Sequence, residues 1–201
     1  KNLRQTHDQA IENVRQIAAL INEQPEDSRP EFEGALGTAF GCSIEGHIDE
    51  RQVLSLAERL VTAGVDELGL SDTVGYANPK QVKRLINKLR GVAGADKVKS
   101  VHLHNTYGLG IANAFAAYEE GIEVFDSSQG GLGGCPVSPG ASGNIVTEDL
   151  VYMFESMGVD TGVELGALMD CRKYLEEGLP GELIYGMTPN AGLPKIYASL
   201  D

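Results

Sequence analysis

Ala63-Gly64-Val65-Asp66-Glu67-Leu68-Gly69-Leu70-Ser71-Asp72 is the stretch on which the fold turns. A helix closes on a glycine, a short apolar strand follows, and the strand ends in Ser and Asp. The same order returns at Glu120-Gly121-Ile122-Glu123-Val124, which leads to Asp126-Ser127-Ser128. Repeated helix-glycine-strand units of about 30 residues are βα repeats, and they predict a parallel sheet covered by helices. Polar residues gathered just past the strand ends are where a (βα)8 barrel keeps its chemistry.

The flanking segments follow the same alternation. Thr6 and Gln9 have the spacing of a capping box, and Ala10, Ile11, Val14, Ile17, Ala18 and Ile21 keep a helical stripe behind it. Residues 22–30 are polar and predict a loop; residues 34–40 are small and apolar and predict a buried strand. Asp49 caps a helix with Val53, Leu54, Ala57, Leu60 and Val61 on one face, and Gly64 ends it. Asn78-Pro79 starts another, with Val82, Leu85, Ile86 and Leu89. The expected strands are then 67–71, 98–104 and 124–127, with a helix at 108–118 between the last two. Thr147 is expected to cap a helix carrying Leu150, Val151, Phe154 and Met157. A further helix is expected at 164–176, with an irregular tail after Pro180. This pattern has four strands, whereas a closed barrel needs eight and about 250 residues. Half a barrel would leave open edges. The expectation is an α/β chain holding the C-terminal half of a barrel in residues 1–158, with a helical extension and tail in 159–201.

With 201 residues, 42% hydrophobic and 22% charged, the chain can bury one sizeable core. The formal net charge of −13 argues against nucleic acid as a partner. An anionic small ligand would need local Lys or Arg, or helix N-termini. No apolar run approaches the roughly 20 residues that span a bilayer, and no signal peptide is expected. Cys42, Cys135 and Cys171 are odd in number and far apart, which fits a reducing compartment rather than a disulfide framework.

Chemistry concentrates in two places. In Val101-His102-Leu103-His104 the histidines are two apart on a strand, so both point to one face. They read as paired metal ligands or as two hydrogen-bonded core histidines. His7 and His47 lie in polar surroundings and read as surface residues. The second place is Gly130-Gly131-Leu132-Gly133-Gly134-Cys135-Pro136, followed by Gly140-Ala141-Ser142-Gly143-Asn144. A thiol on so flexible a run suits a loop closing over a ligand better than an inert buried cysteine. Cys42, after Gly41, is placed to line the same mouth, and Cys171 reads as core. Asn144 either offers an amide oxygen to a hard divalent cation or satisfies backbone amides at a helix start. Asp72 either orients an active-site group or caps the turn that follows.

GLGGCP (131–136), GASGN (140–144), TEDLVYM (147–153), VHLHNTYG (101–108) and LSDTVG (70–75) together resemble the 3-hydroxy-3-methylglutaryl-CoA lyase family, a branch of the metallolyase barrels. The similarity runs over about residues 1–168. The cysteine-loop motif is specific to the lyase branch, while the His-x-His pair is shared more widely. The resemblance implies a TIM (βα)8 barrel of which this chain holds strands five to eight. It implies Mg²⁺ or Mn²⁺ at His102 and His104, with Asn144 near the metal. It gives His102 a proton-transfer role, makes Cys135 a general acid/base on the closing loop, and places Asp72 and Glu148 as active-site carboxylates. The family's strand-one Arg and Asp have no counterpart here, so the site is expected to be incomplete. Asn105, Gln129-Gly130 and Val137 depart from the usual Asp, Val-Ala and Tyr, and the last two, in the substrate-closing loop, leave the acyl group open.

The implied reaction cleaves 3-hydroxy-3-methylglutaryl-CoA to acetyl-CoA and acetoacetate, as in leucine degradation. The alternatives are citramalyl-CoA or another branched 3-hydroxyacyl-CoA, a Claisen-condensing synthase, or an inactive fragment. The resemblance further implies an acyl-CoA substrate, no membrane or nucleic-acid partner, and a homo-oligomer, a dimer. Its compartment would be the bacterial cytoplasm or the mitochondrial matrix.

Overall fold

The structure, a computed structural model, describes residues 4–134 and 143–195. Thr6 and Gln9 form a reciprocal capping box at the start of α1 (His7–Asn22), whose Ile11 and Ala18 are buried. β1 (Glu33–Leu36) leads to α2 (Glu50–Ala63), where the Asp49 carboxylate accepts from the Arg51 N–H and Gly64 stops the helix in the left-handed region. β2 (Glu67–Asp72) leads to α3 (Pro79–Ala93), opened by an Asn78–Gln81 capping box. Then come β3 (Val98–Leu103), α4 (Gly110–Glu119), β4 (Val124–Asp126), α5 (Thr147–Ser156), α6 (Leu165–Gly178) and α7 (Met187–Ala191).

The strands pair in parallel, in the order β1-β2-β3-β4. Strand alternation divides their side chains. Leu36, Leu68, Leu70, Val101 and Leu103 face the helices and join Ala57, Leu60, Leu85, Ile86 and Leu89 in one buried cluster. The opposite face carries Glu33, Ala35, Gly69, Ser71, Ser100, His102 and Asp126. On this face Glu33, Ala35, Val124 and Asp126 are exposed. No helix among the described residues is long and apolar enough to cross a membrane.

Element ends shift by a residue or more throughout, and five of the expectations change for an identifiable local reason. The strand at 34–40 ends at Leu36, because Thr38 enters the left-handed region (φ 54°) and turns the chain so that the Ala39 N–H reaches the Ser71 carbonyl at 3.0 Å. The strand at 98–104 ends at Leu103, and His104 leaves the ladder to bridge Asn144. Thr147 is not a cap: it is the first residue of α5, and its hydroxyl pairs with that of Ser127 at 2.8 Å. Cys171 is exposed rather than core, because α6 buries Leu165 and Arg172 instead. The tail is not wholly irregular, since the Asp149 carboxylate accepts from the N–H groups of Met187 and Thr188 (3.0 and 2.7 Å) and starts α7.

Gly69 is the closest approach in the sheet. The Ser100 hydroxyl donates to Glu33 at 2.7 Å, reaching across β2 over Gly69. A Cβ there would stand 2.6 Å from both Glu33 Oε1 and Ser100 Oγ. Gly69→Ala is expected to cost about 1–3 kcal/mol of stability through overpacking and loss of that bond; chemical denaturation measures it, and an unchanged midpoint would refute the crossing as a packing constraint.

Candidate active site

β3 delivers two imidazoles to one place. The parallel register sets His102 between Ser71 of β2 and Asp126 of β4. His102 Nδ1 lies 3.2 Å from Asp126 Oδ2. A carboxylate only accepts, so the proton of the neutral ring sits on Nδ1 and Nε2 keeps its lone pair. That Nε2 lies 3.1 Å from His104 Nε2, with the rings inclined at 52°. His104 is buried; desolvation, and secondarily His102, push its imidazole down to about 4, so it is neutral near pH 7. Two imidazoles whose Nε2 atoms face each other either share one hydrogen bond or face a common cation.

Asn144 arrives from the far side of the Gly-rich run. It forms an antiparallel bridge with His104, and the Ile145 N–H donates to the Leu103 carbonyl at 3.0 Å. It does not cap α5, which begins at Thr147 behind Val146. Its Nδ2 donates instead to the Leu132 carbonyl at 2.8 Å. Its Oδ1 is buried with no hydrogen-bond partner among the described residues, and the same holds for His104 Nδ1. A buried polar atom without a partner costs about 1–3 kcal/mol. An amide oxygen whose NH₂ is committed elsewhere is a hard donor suited to a divalent cation. The 3.1 Å between the two Nε2 atoms is close to the ~3.0 Å between neighbouring ligands of an octahedral ion with bonds of about 2.1 Å. These residues therefore fit a divalent cation. Among the described residues no group of three or more His, Cys, Asp or Glu that could hold a metal ion is found.

Asp72 closes β2 with no exposure. Its carboxylate accepts from the N–H groups of Tyr76 (2.8 Å) and Ala77 (3.0 Å), which folds the turn into α3. Burial raises its carboxyl above the ordinary range, opposed by the amides of Ala77, Tyr76 and Gly75 and by a smaller pull from His102. Of its two readings, the capping one is the one its hydrogen bonds display. Glu148 is equally buried, but it accepts from the Gly130 N–H at 3.0 Å and pairs with Arg172 Nη1 at 3.0 Å. It is turned toward the root of the Gly-rich run. Cys135 lies outside the described residues. Cys42 is half-buried in a turn closed by hydrogen bonds with Gly46, and His7 and His47 are exposed. Cavities of about 420 and 610 Å³ lie beside α5, and neither is lined by His102 or His104.

Two residues at the site carry no motif. Asp126 orients His102 through cross-strand register, and its one signal is the Ser/Asp strand ending common to both βα units. Arg172 sits in an ordinary helical stretch, and nothing in its sequence context marks it.

A family model described as HMGL-like matches residues 1–175. The hydroxymethylglutaryl-CoA lyase of Bacillus subtilis is 39% identical over 177 residues, which cover 88% of this chain and 58% of that protein. The (R)-citramalyl-CoA lyase of Chloroflexus aurantiacus is 44% identical over 148 residues, 74% of this chain and 46% of that one. The solved structure of an HMG-CoA lyase from Acinetobacter baumannii, in complex with coenzyme A and 3-methylmalate, superposes with a TM-score of 0.85 at 40% identity, covering 96% of this chain and 61% of that one. The chain thus spans 46–61% of the length of these three proteins.

Asp72→Ala is expected to destabilise the fold by about 1–3 kcal/mol, because two backbone amides lose their acceptor. Asp72→Asn, which keeps one acceptor oxygen, should recover part of that. Urea titration of the three proteins checks the order, and equal midpoints would remove Asp72 from the turn.

Proposed function

We propose, from the premise that this chain belongs to the HMGL-like family, that the protein cleaves a carbon–carbon bond in a 3-hydroxyacyl-CoA. Its four parallel strands and their helices are part of the family's (βα)8 barrel. The observation that carries the reading is the pair of imidazoles with Nε2 atoms 3.1 Å apart, together with the unpaired amide oxygen of Asn144, whose residue bridges His104. His102, His104 and Asn144 would hold the divalent cation, Mg²⁺ or Mn²⁺. Bound there, it supplies positive charge at the substrate's hydroxyl and carbonyl oxygens.

The rest falls to the chain's own groups. Asp126 keeps the His102 ring fixed and its Nε2 free of a proton. Removal of the tertiary hydroxyl proton is the transfer role that the resemblance gives to His102, and it is open to Nε2 only while that atom is off the cation. The C2–C3 bond then breaks. Its electron pair passes into the thioester as the enolate of acetyl-CoA, and the former carbinol carbon becomes the ketone of acetoacetate. Protonation of the enolate carbon completes acetyl-CoA, and the resemblance assigns that proton to Cys135. Asp72 holds the turn that borders the histidines, and Glu148 holds the root of the loop. Residues 1–158 would form barrel and 159–201 a C-terminal extension. The assembly would be a dimer in the bacterial cytoplasm or the mitochondrial matrix.

A second acyl group has specific support in the 44% identity to a citramalyl-CoA lyase. The deciding experiment gives protein expressed from its complete reading frame 3-hydroxy-3-methylglutaryl-CoA and citramalyl-CoA in parallel, each with Mg²⁺. Release of acetyl-CoA and acetoacetate from the first supports the main reading. Turnover of the second alone reassigns the acyl group, and turnover of neither overturns the lyase. Asp126→Asn is expected to lower kcat/KM about 10- to 100-fold with the fold intact, since ring orientation is its contribution; steady-state kinetics beside a thermal melt checks it.

A further inference from the structure

Four hydrogen-bonded groups make a closed ring at the root of the Gly-rich run. Arg172 Nη1 donates to Glu148 Oε1 (3.0 Å) and to the Tyr185 carbonyl (2.7 Å), while Nη2 donates to the Ile184 carbonyl (3.2 Å). Glu148 accepts the Gly130 N–H (3.0 Å). The Gly130 carbonyl in turn accepts the Tyr185 N–H (2.8 Å). Gly130 is thus held at both its donor and its acceptor. It sits at φ 64°, and a Cβ there would run into the Ile184 side chain. Arg172 Nε completes the set by donating to Glu176 (2.8 Å).

Two residues further on, the Leu132 carbonyl takes the Asn144 Nδ2 proton at 2.8 Å. A Cβ on Gly133 would stand 2.7 Å from that same nitrogen, so the backbone here is moulded onto the Asn144 amide. With Nδ2 fixed on Leu132, Oδ1 is the amide atom left unpaired. We infer that Arg172 and Glu148 are positioning residues for metal binding: together they fix the Gly130–Leu132 backbone, whose carbonyl sets the rotation of the Asn144 amide and so aims its oxygen at the cation. This inference rests on the reading of His102, His104 and Asn144 as metal ligands. Groups that orient a metal ligand in this way commonly alter affinity 10- to 100-fold when removed.

The experiment is a double-mutant cycle on Mn²⁺ affinity, read by calorimetry or by the signal of free Mn²⁺, with no substrate present. The probe is Mn²⁺ alone, on protein from the complete reading frame. Asn144→Ala and Arg172→Met are each expected to weaken Mn²⁺ binding about tenfold. If Arg172 acts through Asn144, the double variant binds no more weakly than Asn144→Ala alone. Effects that multiply to about a hundredfold would overturn the inference, as would unchanged affinity in a folded Arg172→Met protein. Should Arg172→Met fail to fold, the cycle is run with the isosteric Glu148→Gln, where a weakening of a few-fold that vanishes in the Asn144→Ala background is expected and a multiplying effect refutes. Parent protein that binds no Mn²⁺ overturns both this inference and the metal site. Parent protein that shows the coupling yet cleaves neither acyl-CoA overturns the lyase reading alone.

Discussion

The site depends on the register of three parallel strands. Ser71, His102 and Asp126 lie in one row across β2, β3 and β4. Side chains alternate with a period of two, so a slip of one residue would send His102 to the helix side and put Val101 or Leu103 in its place. Register is fixed where one face is buried, and here the buried set of Leu68, Leu70, Val101 and Leu103 fixes it. β4 contributes only Val124–Asp126 to the ladder, yet its last residue sets the tautomer of the first histidine.

The second support is electrostatic. Glu148 and Arg172 are both buried, and removing two charges from water is expensive unless every donor and acceptor is used. Here the guanidinium is committed to Glu148, Glu176 and two carbonyls, and the carboxylate also takes the Gly130 amide. Such a pair adds little net stability over apolar residues of the same volume. What it supplies is geometry, because an alternative packing of α6 would leave one charge alone in the core. The adjacent Asp149 serves α7 in the same way, so one turn of α5 anchors most of the C-terminal segment.

Local rules carried the sequence reading a long way. The capping box at Thr6, the N-cap at Asn78 with Pro79 behind it, the stop at Gly64 and the shared face of His102 and His104 each follow from residues within one helical turn or one strand. The failures mark where a distant partner decides. Residues 37–40 have the composition of a strand, but Thr38 takes up a left-handed conformation to suit the Ser71 carbonyl. Thr147 has the chemistry of a cap but is drawn away by Ser127. Asn144 was legible as a ligand or a cap; α5 begins behind Val146, so it caps nothing there, and its amide donates to the Leu132 carbonyl instead. Arg172 was illegible, since a buried arginine in a helix looks no different in sequence from one in solvent.

The order in which the chain is made gives the Glu148–Arg172 contact a further meaning. Glu148 leaves the ribosome 24 residues before its partner. Until Arg172 follows, a carboxylate bound for the core has no counter-charge, and water is its better environment. Burial of that carboxylate at the N-terminal end of α5, and with it the setting of the Gly130 backbone, therefore requires α6. Domains fold as units, and this pair ties α5 and α6 into one such unit. A single arginine, 24 residues along the chain from its partner, thus decides whether the root of the Gly-rich run is set.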